Sequence, residues 1–85
     1  MDRNTILAEL KKVLAPYTEN KEMLDGITED TDLVKDLKIN SANLVDIIID
    51  AESTYNIEID FDSAAKMYKV GSCIDVILDK MNPAV

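Results

Sequence analysis

Apolar positions recur at helical spacing in four stretches of this chain, and they predict an all-α protein. Ile6, Leu7, Leu10, Val13 and Leu14 mark one face of a first helix over roughly Thr5 to Ala15, with Asn4 placed to cap it and Pro16 to end it. A second helix is expected from Ser41 to Tyr55, a short third from Phe61 to Met67, and a fourth from Ser72 to Met81. Val70, Cys73, Ile74, Ile77, Leu78 and Met81 share one face of the last; Gly71 marks its start and Asn82-Pro83 its end. About 25 residues join the first two helices, long for a small domain and so expected to be functional or tied down. They hold turn-forming chemistry (Asp25-Gly26, Glu29-Asp30-Thr31-Asp32) together with Leu24, Ile27, Leu33, Val34 and Leu37, which can plug into a helical core. Ile57-Glu58-Ile59 alternates like a strand with nothing to pair with, and reads as an extended link whose isoleucines point inward. The expected fold is a small antiparallel four-helix bundle, three longer helices and one short, with a long packed loop between the first two. Its 85 residues make a single domain over 1–85.

The second helix has two apolar stripes. At about 100° per residue, Leu44, Ile47, Ile48, Ala51 and Tyr55 form the broad face a core requires. Ala42, Val45 and Ile49 fall nearly opposite, where a bundle helix should be polar, with Asp46 and Asp50 on one side of the stripe and Glu52 on the other. Scattered surface apolar residues are common. Three in register, bordered by carboxylates, favour a docking face for a partner whose hydrophobic pocket is ringed by Arg and Lys.

Charge sharpens the choice of partner. A net charge of −8 argues against nucleic acid, which needs clustered cations, and disfavours an anionic membrane surface. It favours basic protein partners reached by electrostatic steering, although solubility alone would also select acidity. The lone Cys73 excludes an internal disulfide and a cysteine metal cluster. It lies on an apolar stripe in a chain without His, so a buried core thiol is expected rather than a nucleophile. Asp30, Asp32 and Asp36 lack the glycine and glutamate spacing of a calcium loop and read as turn residues, while Asp60 and Asp62 are placed to cap or start the third helix. No apolar stretch has the length of a signal or a membrane span, and a cytoplasmic monomer is the expectation.

Ser41 stands where the loop ends and the second helix begins. Such a serine is either an N-cap, or an exposed hydroxyl beside the positive end of the helix dipole; spacing leaves both open. Residues 27 to 81 resemble the acyl carrier protein family almost without a gap. Thr31-Asp32-Leu33-Val34-Lys35-Asp36-Leu37 is similar to the segment leading into that family's modified serine, and Asn40-Ser41-Ala42 occupies the place of its Asp-Ser-Leu. Leu44 to Ile59 (LVDIIIDAESTYNIEI) resembles its recognition helix and the link after it, and Val70 to Asp75 the start of its last helix.

The resemblance implies that Ser41 carries 4′-phosphopantetheine, transferred from coenzyme A by a phosphopantetheinyl transferase. The arm would hold acyl groups as thioesters for partner synthases and acyl-transferring enzymes, and catalysis would belong to those partners. It also implies that Asn40, Ala42, Val45, Asp46, Ile49, Asp50 and Glu52 meet the partners, and that Leu33, Ile47, Ala51, Ile59, Ala64, Met67 and Ile74 line a space for the acyl chain. Asn40 for Asp and Ala42 for Leu depart from the family, with Asn43 where an acid is common, and point to a specialised carrier rather than the housekeeping one. Two other readings stay open: a carrier of aminoacyl or peptidyl groups, and an unmodified acidic adaptor that binds a basic protein through Val45 and Ile49. A small hydrolase would need a nucleophile–base pair that the chain lacks.

Overall fold

Residues 2–81 are described by a computed structural model in which the regular elements are all helical. Helices α1 (Arg3–Leu14) and α2 (Lys21–Asp25) come first; a 3-10 turn (Ser41–Asn43) then runs into α3 (Leu44–Tyr55), followed by α4 (Phe61–Ala64) and α5 (Val70–Met81). Three helices are therefore long and two short. Asp2, not Asn4, caps α1: its carboxylate accepts the Thr5 N–H at 2.7 Å, and the helix starts at Arg3 rather than Thr5.

Helix α2 was not expected. Asn20 caps it through a bond from Met23 N at 3.1 Å, and Leu24 is its buried residue, so the long connection contains a helical turn of its own. The expected third helix is shorter than its pattern. After Ala65 the bonds run to the third preceding carbonyl (Lys66 to Ser63, Met67 to Ala64), a ladder that ends the α-helix and turns Met67 into the core.

Helix α5 starts at Val70, two residues before the expected point, so Gly71 lies inside its first turn. The glycine is needed for close approach. Its N–H donates to the Glu29 carbonyl at 2.8 Å, and a Cβ there would stand 2.9 Å from that oxygen. The stop expected at Asn82-Pro83 lies outside the described residues.

The core sits where α1, α3 and α5 pack on one another, with Ile6, Leu10, Leu14, Ile47, Val70, Ile74 and Ile77 at its centre. Leu24, Ile27, Leu33 and Leu37 plug into it from the long connection, as expected; Val34 does not and is 40 % exposed. The Asp32 carboxylate explains the difference: it accepts from Val34 N at 2.9 Å and Lys35 N at 2.8 Å, a tight turn that sends Leu33 inward and Val34 outward. Ile57 and Ile59 pack against the core while Glu58 stays exposed, the extended link that the alternation predicts.

Two connections distant in sequence are stitched together beneath the start of α3. Asp32 and Lys69 form an antiparallel bridge, Leu33 N donates to Tyr68 O and Val70 N to Thr31 O, both at 3.0 Å. Ile39 N then closes on Leu33 O at 3.1 Å, so the approach to Ser41 is fixed by backbone bonds. At the far edge the Arg3 guanidinium grips Glu29 and also reaches Asp75 at 2.7 Å, tying α1, the connection and α5 together.

Candidate functional site

Ser41 is exposed and is the first residue of the 3-10 turn. It is not the cap. Asn40, in extended backbone, places its side-chain oxygen 2.9 Å from Ala42 N and does that work. An asparagine oxygen accepts this bond as a carboxylate would, so the replacement removes a charge while keeping the local geometry. The Ser41 hydroxyl takes part in none of the hydrogen bonds formed among the described residues. Asn40 and Ala42 are exposed on either side of it.

The second stripe of α3 is a surface. Val45 is 59 % and Ile49 54 % exposed, Ala42 is exposed beside them, and Ile47 and Ala51 on the opposite face are buried. The three flanking carboxylates differ in use. Asp46 is exposed. Asp50 is half-buried and accepts the Tyr17 hydroxyl at 2.7 Å, which together with partial burial pushes the phenol up to about 12. Glu52 is half-buried and accepts from Ile59 N at 2.8 Å, holding the link after the helix. Sequence reasoning grouped all three as partner contacts, whereas two of them also anchor neighbouring segments.

Of the residues expected to line an acyl space, Leu33, Ile47, Ala51, Met67 and Ile74 are buried, Ile59 packs against the core and Ala64 is half-buried. A shallow groove of about 400 Å³ lies elsewhere, between α1 and α3, and is lined by Glu9, Val13, Asp50 and Ser53 among others. Cys73 is buried in the core, and burial pushes its thiol up to about 12, far from a thiolate at neutral pH. Asp32 and Asp36 spend their carboxylates on backbone N–H groups at 2.8–2.9 Å, as turn residues do. Asp60 precedes α4 in the cap position without a capping bond; Lys80 at 2.8 Å and the Ser63 hydroxyl at 2.6 Å take its carboxylate. Phe61, 90 % exposed, begins that helix and lies outside the core.

No family model matches the chain. Individual proteins do. The acyl carrier protein of Desulforapulum autotrophicum is 36 % identical over 76 residues, covering 89 % of this chain and 97 % of that protein. That of Lactobacillus acidophilus is 32 % identical over 77 residues, covering 91 % and 94 %. The chain belongs to the acyl carrier protein family. A solved acyl carrier protein from Enterococcus faecalis matches 94 % of this chain and 99 % of its own with a TM-score of 0.75; at 22 % identity that likeness shows the shared fold. Family membership makes the protein a carrier, with the chemistry left to other proteins. No described helix is long and apolar enough to cross a membrane.

Proposed function

We propose that Ser41 is the attachment residue for 4′-phosphopantetheine, delivered from coenzyme A by a phosphopantetheinyl transferase. The observation that carries this reading is the division of labour at the turn: Asn40 caps it, and the Ser41 hydroxyl is exposed and unbonded among the described residues. The residues present fit the group, since no bulky side chain adjoins the hydroxyl in sequence and a phosphodiester there would stand at the positive end of α3. When bound, the arm supplies a thiol that holds acyl cargo as a thioester.

The chain itself presents the attachment point on a turn fixed by backbone bonds and offers a docking face beside it. Ala42, Val45 and Ile49 fit a hydrophobic pocket on a partner, with Asp46 meeting basic residues at its rim. Asp50 and Glu52 hold Tyr17 and the 57–59 link in place while bordering the same face. Tethering then raises the effective concentration of cargo at each partner. The aliphatic interior around Leu33, Ile47 and Ile74 favours acyl cargo over aminoacyl or peptidyl groups. Asn40 and Ala42 favour a dedicated fatty acid, polyketide or related pathway.

Incubation with coenzyme A and a phosphopantetheinyl transferase, followed by intact mass measurement, tests the reading. The wild type is expected to gain one phosphopantetheine and Ser41→Ala none. A wild type that no transferase modifies, including that of the source organism, would sink it.

A further inference from the structure

The chain uses asparagine twice to cap a helical turn, and the two side chains differ in what their nitrogens do. Asn20 Oδ1 accepts from Met23 N at 3.1 Å, and its Nδ2 donates to the Asp36 carbonyl at 3.4 Å. Both ends of that half-buried amide are thus bonded within the fold. Asn40 Oδ1 accepts from Ala42 N at 2.9 Å, which fixes the end of the amide that faces the turn and leaves Nδ2 as the outer end. Asn40 is exposed, and its Nδ2 takes part in none of the hydrogen bonds formed among the described residues.

Capping does not account for the choice of an amide. A carboxylate accepts the same kind of bond and gains from the positive end of the helix, as Asp2 does at α1. At position 20 the bond to Asp36 explains the amide; at position 40 no bond within the described residues does. The surroundings of the serine share this neutrality. Residues 39–45 carry no charge in a chain of net charge −8, and the first carboxylate on α3 is Asp46. Asn43, at the other end of the turn, makes no capping bond.

We infer that Asn40 is a recognition residue for the enzyme that modifies Ser41, its Nδ2 donating to an acceptor oxygen on that enzyme, a backbone carbonyl or a carboxylate. The inference rests on the attachment reading above. The Cα atoms of Asn40 and Ser41 are about 3.8 Å apart, as in any consecutive pair. An ordinary interface buries about 800 Å² of each partner, so an enzyme closing on the Ser41 oxygen also covers the exposed Asn40 side chain. Covering Nδ2 takes it out of water, and a donor left there without an acceptor weakens binding. No described residue supplies that acceptor, so the oxygen comes from the enzyme. A lysine or arginine at that point would set donor against donor. A pocket built for a carboxylate at this place is therefore mismatched to Asn40 in charge and in hydrogen-bond sense, which gives the position its selectivity.

The test uses coenzyme A and the transferase of the source organism, with initial rates of Ser41 modification measured against carrier and coenzyme A concentration. Asn40→Asp keeps an oxygen for Ala42 N and replaces the outer donor by an acceptor. It is expected to lower kcat/KM for the carrier by about tenfold or more, through the KM for the carrier. Asn40→Ser keeps a capping oxygen and removes the donor without adding charge, and is expected to lose about threefold to tenfold. Neither variant is expected to melt appreciably below wild type. Asn4→Asp, exposed on the first turn of α1, adds the same charge elsewhere and is expected to match wild type. Asn40→Asp within twofold of wild type, or faster, would overturn the inference, the faster rate placing a cation opposite position 40. Asn40→Ser at the wild-type rate would overturn it too, since the donor would then be idle. So would an equal loss in Asn4→Asp, which would make net charge the cause, or a loss carried by kcat alone or by the KM for coenzyme A, which would put the amide on the phosphate in transfer. Failure to modify wild type would instead remove the attachment reading, and this inference with it.

Discussion

Helices α3 and α5 have the same length and a similar supply of aliphatic residues, yet the fold uses them in opposite ways. Six residues of α5 are buried, among them Ile74 and Ile77 with no exposure at all. In α3 only Ile47 and Ala51 are buried, while Val45 and Ile49 are more than half exposed. Packing explains α5, which contacts both α1 and α3. It does not explain the outer stripe of α3, which leaves Val45 and Ile49 more than half exposed in the free protein. A stability argument thus accounts for one helix completely and for half of the other, and the unexplained half adjoins Ser41.

Truncation should separate the two helices most sharply. Ile77→Ala is expected to destabilise the fold by about 3 kcal/mol, because a fully buried side chain leaves a cavity that its neighbours fill poorly. Ile49→Ala removes a similar side chain from solvent and should change stability by less than about 0.5 kcal/mol. Urea unfolding of both variants checks the contrast. Equal losses would mean that the outer stripe is part of the core and that α3 has no free face. Ile49→Ala should instead slow the encounter with partner enzymes.

A smaller effect is expected where α5 meets the long connection. Alanine is favoured over glycine in a helix by up to about 1 kcal/mol. At Gly71 its Cβ would stand 2.9 Å from a backbone oxygen of Glu29, which cannot rotate away. Forcing the connection outward costs about 1–3 kcal/mol, so Gly71→Ala should be destabilising by about 1 kcal/mol net in a thermal melt. A stabilised variant would show that the connection yields freely, and that the bonds beneath Ser41 are softer than their geometry implies.

The two helices also differ in how far the sequence reveals them. Period alone located α5, because a buried face must repeat. It located α3 too, and its second stripe was visible as an excess of apolar residues over what a core needs. What stayed hidden depends on contacts between distant residues. The bridge from Asp32 to Lys69 joins positions with no local pattern, so their neighbourhood could not be read. Gly71 looked like a start signal because its reason for being glycine, the Glu29 carbonyl, lies far away in sequence. Ser41 looked like a cap because serine often is one; the Asn40 side chain competes for that role, and only geometry decides between them. The short α2 turn owes its existence to Asn20 and the burial of Leu24, too little periodicity to register.

The smallest effect concerns the edges that hold α5 in place, and its sign follows from two carboxylates. The Arg3 guanidinium holds the Glu29 carboxyl below its usual value of 4.5, and Lys80, with help from Ser63, holds Asp60 well below 3.8. Both groups bind protons more weakly in the folded protein than in the unfolded chain. The stability they contribute is therefore present above about pH 4.5 and is lost as pH falls through the carboxylate range. Both pairs are substantially exposed, so salt weakens them and the loss is modest. Urea midpoints measured from about pH 6 to about pH 3 should fall, and the fall should be shallower in Arg3→Met and in Lys80→Met, which lack the cation responsible. Parallel curves for all three proteins would mean that these ion pairs contribute nothing to anchoring α5, leaving its burial to hold the helix alone.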